Sequence, residues 1–321
     1  MSAVLQFPPA GNRREPVCTL EAFSRSWFEG MAVGWRDTTR DAVRTILRAH
    51  LLPAFGMHQV TEVGRADVLA FRTRLAAQRS PSGRPLSPRR INRVIDVLGQ
   101  ILSERELQLG IPNPCRQLPR LPQRRALIRP FSLPELQRLV DVAPDHLRDY
   151  LWIRGLTGIR SGEANGLCWD QVDWDNLTIA ISAARVRGQQ VLPKNEYSER
   201  VIALTSSLQD ALLRQFARTG SESGFVFGSV RGCPVDTSNF GRRDWPRLLD
   251  AARLSHRSPE HLRHTAATLM LAAGEAPTFI AKTLGHSDCR MLFSTYARYV
   301  ANALGSVDGQ GLEAAISQCH Q

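Results

Sequence analysis

The feature that most constrains this chain is the interruption IPNPCRQLPRLPQRRALIRP, Ile111 to Pro130, which holds five prolines and five arginines. Proline lacks a backbone N–H, has a fixed φ and pushes the residue before it out of the helical region, so the span can be neither a helix nor a central strand. The sequence must therefore fold as two bodies joined by an extended, basic linker or strap. With 321 residues, each body is about the size of an ordinary domain.

Before the interruption, apolar residues recur at helical spacing in four stretches. Phe23, Trp27, Phe28 and Met31 follow Thr19-Leu20-Glu21. Ala42, Val43, Ile46, Leu47 and Leu51 mark a helix from Asp37 that is expected to end at Pro53. Val68, Leu69, Phe71 and Leu75 lie between Arg65 and Gln78. Ile91, Val94, Ile95, Leu98 and Leu102 follow the cap Ser87-Pro88 and stop near Gly110. Four one-sided stripes predict a compact helical bundle over residues 18–112. Its other faces carry Arg72, Arg74, Arg89, Arg90 and Arg93, either a plain solvated surface or one that lies on a phosphate backbone. Arg124 and Arg125 in the interruption belong to the same candidate set for DNA contact.

After it, Ser132-Leu133-Pro134-Glu135 reads as a capping box. A helix is expected over about His146–Leu156. Leu177–Ile181, Val191–Pro193 and Arg200–Leu204 are strand candidates, with turn residues between them. Helices then follow at about 208–218, 239–253, 259–273, 276–284 and 290–300. The expected fold is mainly α with a small antiparallel β-sheet. The expected division is a flexible N-terminal segment (1–17), the helical bundle (18–112), a Pro/Arg-rich linker (113–131), a mixed α/β domain (132–305) and a C-terminal tail (306–321). The apolar turn Leu312–Ile316 in that tail would dock on a neighbouring protomer or pack at home.

Composition narrows the function. There are 41 Lys+Arg against 30 Asp+Glu, a net charge of +11, and only Lys194 and Lys282 are lysines. A GC-rich genome accounts for the arginine preference but not for the excess, which suits a polyanionic partner. No apolar run approaches the ~18–20 residues of a membrane span, and the N-terminus has its charges in the wrong order for a secretory signal. A soluble, cytoplasmic, nucleoid-associated protein is expected. Six scattered cysteines, with no C-x-x-C pair, give neither a zinc site nor a disulfide framework. With no Walker loop and no G-x-G-x-x-G either, no cofactor and no metal are expected.

Four boxes in the second half carry the chemistry. They are Thr157-Gly158-Ile159-Arg160-Ser161-Gly162-Glu163; Leu192-Pro193-Lys194-Asn195 with Ser198-Glu199-Arg200; Leu262-Arg263-His264-Thr265-Ala266-Ala267-Thr268; and Leu284-Gly285-His286-Ser287 followed by Tyr296. Together, in this order over about Ser132–Val300, they resemble the boxes of the tyrosine recombinase (phage integrase) family. The resemblance implies a helical core-binding domain plus a mixed catalytic domain, and a tetramer on two double-stranded DNA sites that exchanges strands through a Holliday junction.

The residue types fit that implication. A tyrosine hydroxyl can attack phosphorus and conserve the bond as a 3′-phosphotyrosyl ester. With an ordinary pKa of about 10, Tyr296 must lose its proton as it attacks. Arg160 and Arg263 can bracket the non-bridging oxygens, and removing one such donor typically costs about 3–4 kcal/mol. Lys194 would protonate the departing 5′ oxygen, His286 would hydrogen-bond the phosphate or leaving oxygen, and Glu163 would orient its neighbours. His264 is expected to pack or cap within the domain. Tyr299, one helical turn on, is the rival nucleophile, and the family's spacing from His286 favours Tyr296.

One position departs from the pattern. The family usually has histidine three residues before the second arginine, where this chain has Glu260 followed by His261. On a helix His261 and Arg263 point to nearly opposite sides, so His261 is no simple replacement. The stretch before residue 18 is too short for the additional arm-site DNA-binding domain of many integrases. Integration, excision and cointegrate resolution all stay open, with or without an accessory DNA-binding protein. The competing readings are an architectural DNA-binding protein without catalysis and a topoisomerase-like relaxing enzyme.

Overall fold

The computed structural model describes residues 18–80, 83–123, 127–186, 188–191, 199–220, 224–228 and 233–303. Lys194, Arg124, Arg125 and the segment Leu312–Ile316 lie outside these. The chain divides into two compact units, Met1–Ala126 and Leu127–Gln321.

The first unit is built from α1 (Leu20–Ala32), α2 (Asp37–Ile46), α3 (Leu52–Phe55), α4 (Arg65–Ala77) and α5 (Pro88–Leu109). Thr19 and Ser87 cap α1 and α5 with their hydroxyls. The apolar stripes meet in one core that includes Leu20, Trp27, Ile46, Phe55, Phe71 and Leu98. Pro53 does not end the second helix, contrary to expectation. The chain runs from α2 through a π turn, Leu47–Leu51, into α3, with Pro53 in its first turn. A wider turn just before a proline relieves the collision of its ring with the carbonyl four residues back, and burial of Phe55 rewards continuing.

The stretch expected as a linker is bound to this unit over its first half. Arg105, buried in α5, donates to the carbonyls of Val60 and Val63 at 2.9 and 3.0 Å and of Pro112 at 2.8 Å. Asn113 donates to Gly99 and Ser103, both at 2.8 Å. The Asn92 amide pairs with both backbone groups of Leu121 at 2.9 and 3.0 Å. The polyproline-rich span cannot satisfy its own backbone, so side chains of α5 do it. One expected DNA-contact residue is drawn into this duty, since Arg72 donates to the Pro119 carbonyl at 2.8 Å. Arg74 and Arg89 are exposed, while Arg90 and Arg93 are half-buried.

The second unit starts with Phe131 in its core and the capping box Ser132–Glu135, as the sequence pattern predicts. Its helices are α6 (Leu133–Asp141), α7 (Asp145–Thr157), α8 (Ser161–Gly166), α9 (Ser206–Thr219), α10 (Thr237–Asn239), α11 (Trp245–Ala251), α12 (His261–Ala272), α13 (Pro277–Leu284) and α14 (Arg290–Ala303). A second π turn, Phe240–Asp244, precedes Pro246 just as the first precedes Pro53. The strands are β1 (Val172–Asp173), β2 (Thr178–Ile181), β3 (Ala184–Val186), β4 (Gln189–Val191) and β5 (Arg200–Ala203). They form an antiparallel sheet β1-β2-β5 and a separate hairpin β3-β4. β2 begins one residue later than expected because Leu177 occupies the left-handed region (φ 53) and closes the turn after β1. The result is the mainly helical fold with small antiparallel sheets that the sequence implies.

Candidate active site

The site forms where three boxes meet at the C-terminal end of α13. α7 ends at Gly158 and α13 at Gly285, both in left-handed conformation (φ 69 and 68). A Cβ on Gly158 would lie 2.4 Å from Leu284 Cδ2 and 3.2 Å from Ala266 Cβ, so the first box touches the third and fourth directly.

The last carbonyls of α13 are held by three different guanidinium groups. Arg200 Nε donates to Thr283 at 2.6 Å, Arg263 Nη2 to Leu284 at 2.6 Å and Arg160 Nη2 to Gly285 at 3.3 Å. Terminal helix carbonyls have no partner within the helix and carry the negative end of its dipole, so cations are their natural caps. Arg263 Nη1 also donates to the Gly158 carbonyl at 2.8 Å. This fixes the end of α7 against the end of α13.

Glu163 balances the cluster. Its carboxylate accepts from Arg160 Nη1 at 2.7 Å and Arg200 Nη2 at 2.8 Å, and from the Arg160 backbone N–H at 2.8 Å, which also caps α8. Burial alone would push this carboxyl up. The hydrogen bond and charge of Arg200, followed by those of Arg160, override burial and hold it at about 2. Glu163 thus ties Arg160 and Arg200 together.

Arg200 was not among the sequence candidates. The signal lay in the alternation of β5, whose residues run buried, exposed, buried, exposed. Arg200 therefore takes an inward position beside Ile202, where charge occurs only with partners.

Exposure separates the arginines. The Arg160 side chain is 41% exposed, whereas that of Arg200 is 2% exposed, and Arg263 is buried. Arg263 is lowered to about 10, first by burial and then by Arg160, and stays cationic at neutral pH. His286 lies in the same field. Burial, Arg263, Arg160 and Arg200 lower it to about 4 against the pull of Asp288. Its Nδ1 is buried with no hydrogen-bond partner among the described residues.

The two tyrosines of α14 are clearly distinguished. Tyr296 is buried and its hydroxyl lies 2.6 Å from His264 Nδ1. Burial raises it to about 12, with Arg263 pulling the other way. Tyr299 instead donates its hydroxyl to the Ile128 carbonyl. His264 lies within the domain and its ring meets the hydroxyl of the candidate nucleophile.

Glu260 stands apart from the tyrosine. It is the residue just before α12, and its Oε1 accepts from Ser161 Oγ at 3.0 Å, while that oxygen accepts from buried Arg154 at 2.8 Å. The carboxylate that stands where the family has histidine is therefore engaged in a hydrogen-bonded chain. His261 bonds back to Ser258 at 3.1 Å.

Among the described residues no group of three or more His, Cys, Asp or Glu side chains could hold a metal ion, and no helix is long and apolar enough to cross a membrane.

A helical unit followed by a mixed unit with clustered arginines, a histidine and a buried tyrosine defines a tyrosine recombinase. Residues 129–302 match the model of the phage integrase family, and the chain belongs to that family. It is 29% identical over 218 residues to IntQ of Escherichia coli K12, a protein described as defective, covering 59% of this chain and 54% of IntQ. The chain spans about half the length of the first curated relatives it matches. Among solved structures, the Tn1549 transposon integrase in complex with transposon right end DNA superposes with a TM-score of 0.73 at 18% identity, covering 95% of this chain and all of that one. A lambda integrase tetramer bound to a Holliday junction gives 0.68 at 14% identity, with 92% and 80% covered.

Proposed function

We propose that this protein is a site-specific DNA recombinase that cuts and rejoins strands through a 3′-phosphotyrosyl intermediate, serving a mobile element. Tyr296 is the nucleophile. Arg160 and Arg263 bracket the scissile phosphate, and His286 hydrogen-bonds the phosphate or the leaving oxygen. Lys194 protonates the 5′ oxygen. The observation that carries this reading is the convergence of three guanidiniums on the end of α13, beside His286, with Glu163 paired to two of them. A site with that surplus of fixed positive charge suits a phosphodiester whose negative charge grows in the transition state. The synapse is a homotetramer on two duplex sites, passing through a Holliday junction. The lambda integrase tetramer seen on such a junction supports this part.

The test is a duplex nicked near the cut point, which loses its short product and traps the covalent complex. Denaturant-resistant protein–DNA conjugate should form with the wild-type chain and vanish in Tyr296→Phe. Loss of the conjugate only in Tyr299→Phe would overturn the nucleophile assignment. The relation to IntQ, described as defective, favours one second reading, a DNA-binding architectural protein. In that case no conjugate forms with any cognate duplex, while salt-dependent binding persists.

A further inference from the structure

We infer that His264 is the proton acceptor for the nucleophile of this chain, in place of the histidine that position 260 lacks. The inference rests on the reading of Tyr296 as nucleophile. Its geometric basis is the 2.6 Å contact between His264 Nδ1 and the Tyr296 hydroxyl, made between facing turns of α12 and α14. The ring centroids lie 5.6 Å apart and the rings are tilted by 59°.

The chemistry of the two partners is complementary. Tyr296 is buried and held near 12, so at neutral pH it carries its proton until the moment of attack. His264 is lowered from its ordinary 6.5, first by burial and then by His261 and Arg263, against the pull of Glu260. It is therefore neutral at pH 7 and offers a lone pair. The groups that face it are His261, at 5.6 Å between rings, Arg263 and Glu260 on its own helix side, and Tyr296 from α14. The two neighbours of His264 that could also take a proton are committed elsewhere. Glu260 takes the Ser161 hydroxyl, and His261 is tied to Ser258.

In the step proposed, the Tyr296 oxygen forms a bond to phosphorus and the bond from phosphorus to the 5′ oxygen breaks. The phenolic proton passes to His264 Nδ1, giving an imidazolium, and the 5′ oxygen takes its proton from Lys194. On rejoining, the 5′ hydroxyl attacks and gives its proton back to Lys194, the phosphotyrosyl bond breaks and His264 returns the other proton to Tyr296. A short contact to a neutral base costs little reorganisation, and such proton transfer typically contributes about 10²–10⁴-fold in rate.

The test is single-turnover cleavage of the nicked duplex by the full chain across pH 5–9. Wild type should show a plateau above pH 6.5 with an acid limb below it; a log-linear rise through pH 9 would overturn the inference. In His264→Asn the amide keeps a hydrogen bond to the phenol but takes no proton. Conjugate formation should slow at least ~100-fold at pH 7 and rise log-linearly with pH. Binding of the duplex should be unchanged. A 5′-bridging phosphorothiolate, whose leaving group needs no proton, should not restore the rate; rescue would make His264 an acid and sink the assignment. Wild-type rate and profile in His264→Asn would sink it too, and the wild-type profile decides the matter if that variant does not fold. Absence of any conjugate with wild type would instead refute the function proposed above.

Discussion

Replacing Glu163 by glutamine removes the negative charge that bridges Arg160 and Arg200. The cost follows from the depressed carboxyl, about 2 in the folded chain against an ordinary 4.5. At ~1.36 kcal/mol for each pH unit, that difference is worth about 3 kcal/mol. The side chain is 7% exposed, so solvent screening takes little from it. For a unit of the size of Leu127–Gln321, ~2–4 °C per kcal/mol gives a fall in Tm of about 6–12 °C. The sign with pH is fixed by linkage. A depressed folded value means that the stabilisation is complete above about 4.5 and is lost as pH falls toward 2. The gap between wild type and Glu163→Gln should therefore be constant from pH 7 to 5 and shrink to under half by about pH 3. Urea unfolding followed by tryptophan fluorescence reads both quantities, because Trp152, Trp169, Trp174 and Trp245 all lie in this unit. Equal stability at pH 7, or a gap that does not narrow in acid, would refute the argument that Glu163 is an ionised keystone.

Gly158→Ala should lose about 2–5 kcal/mol, since the left-handed backbone and the 2.4 Å approach to Leu284 both oppose a Cβ; a loss under 1 kcal/mol in urea would contradict the close approach. Arg105→Met leaves three carbonyls without their donor, and faster hydrogen exchange should appear in α5 and the strap at no change in the second unit; unchanged exchange would show the strap to be held otherwise. Tyr299→Phe should keep covalent trapping and lose no more than about 1.5 kcal/mol, the worth of its bond to Ile128. Glu260→His should keep strand cleavage within tenfold of the present chain, because the carboxylate serves Ser161 rather than the phenol; a larger loss in the trapping assay counts against that.

The sequence made legible what depends on local order. Helical stripes, the caps at Ser87 and Ser132, and the left-handed end at Gly110 are all set by neighbours a few residues away. The boxes could be read because their chemistry demands particular residue types. What stayed hidden depends on long-range pairing. That Arg72 would grip Pro119, or that Ser161 would link Glu260 to Arg154, follows from the docking of segments far apart in the chain. Pro53 misled the helix boundary because a stop signal was weighed without the burial of Phe55 that overrides it. His264 was hidden for a related reason. A histidine next to a buried arginine reads as packing until the opposite helix supplies a hydroxyl.

The arrangement at the end of α13 also predicts that the arginines of this site are poorly replaceable. Each spends part of its fork on a helix carbonyl, so its rotamer is already fixed before any phosphate arrives, and little further entropy is lost on binding. Lysine has a single nitrogen and could not serve both the Gly158 and Leu284 carbonyls as Arg263 does from two nitrogens. Arg263→Lys would therefore loosen the joint between α7 and α13 while keeping the charge. Its effect on cleavage divides into a stability share and a phosphate share, and only a comparison of unfolding with single-turnover chemistry separates them. The same coupling makes the surplus charge tolerable. Three guanidiniums repel one another, and carbonyls and one carboxylate offset that repulsion in the free chain. A phosphodiester bound as proposed would find partners already oriented by the fold, which need not be gathered.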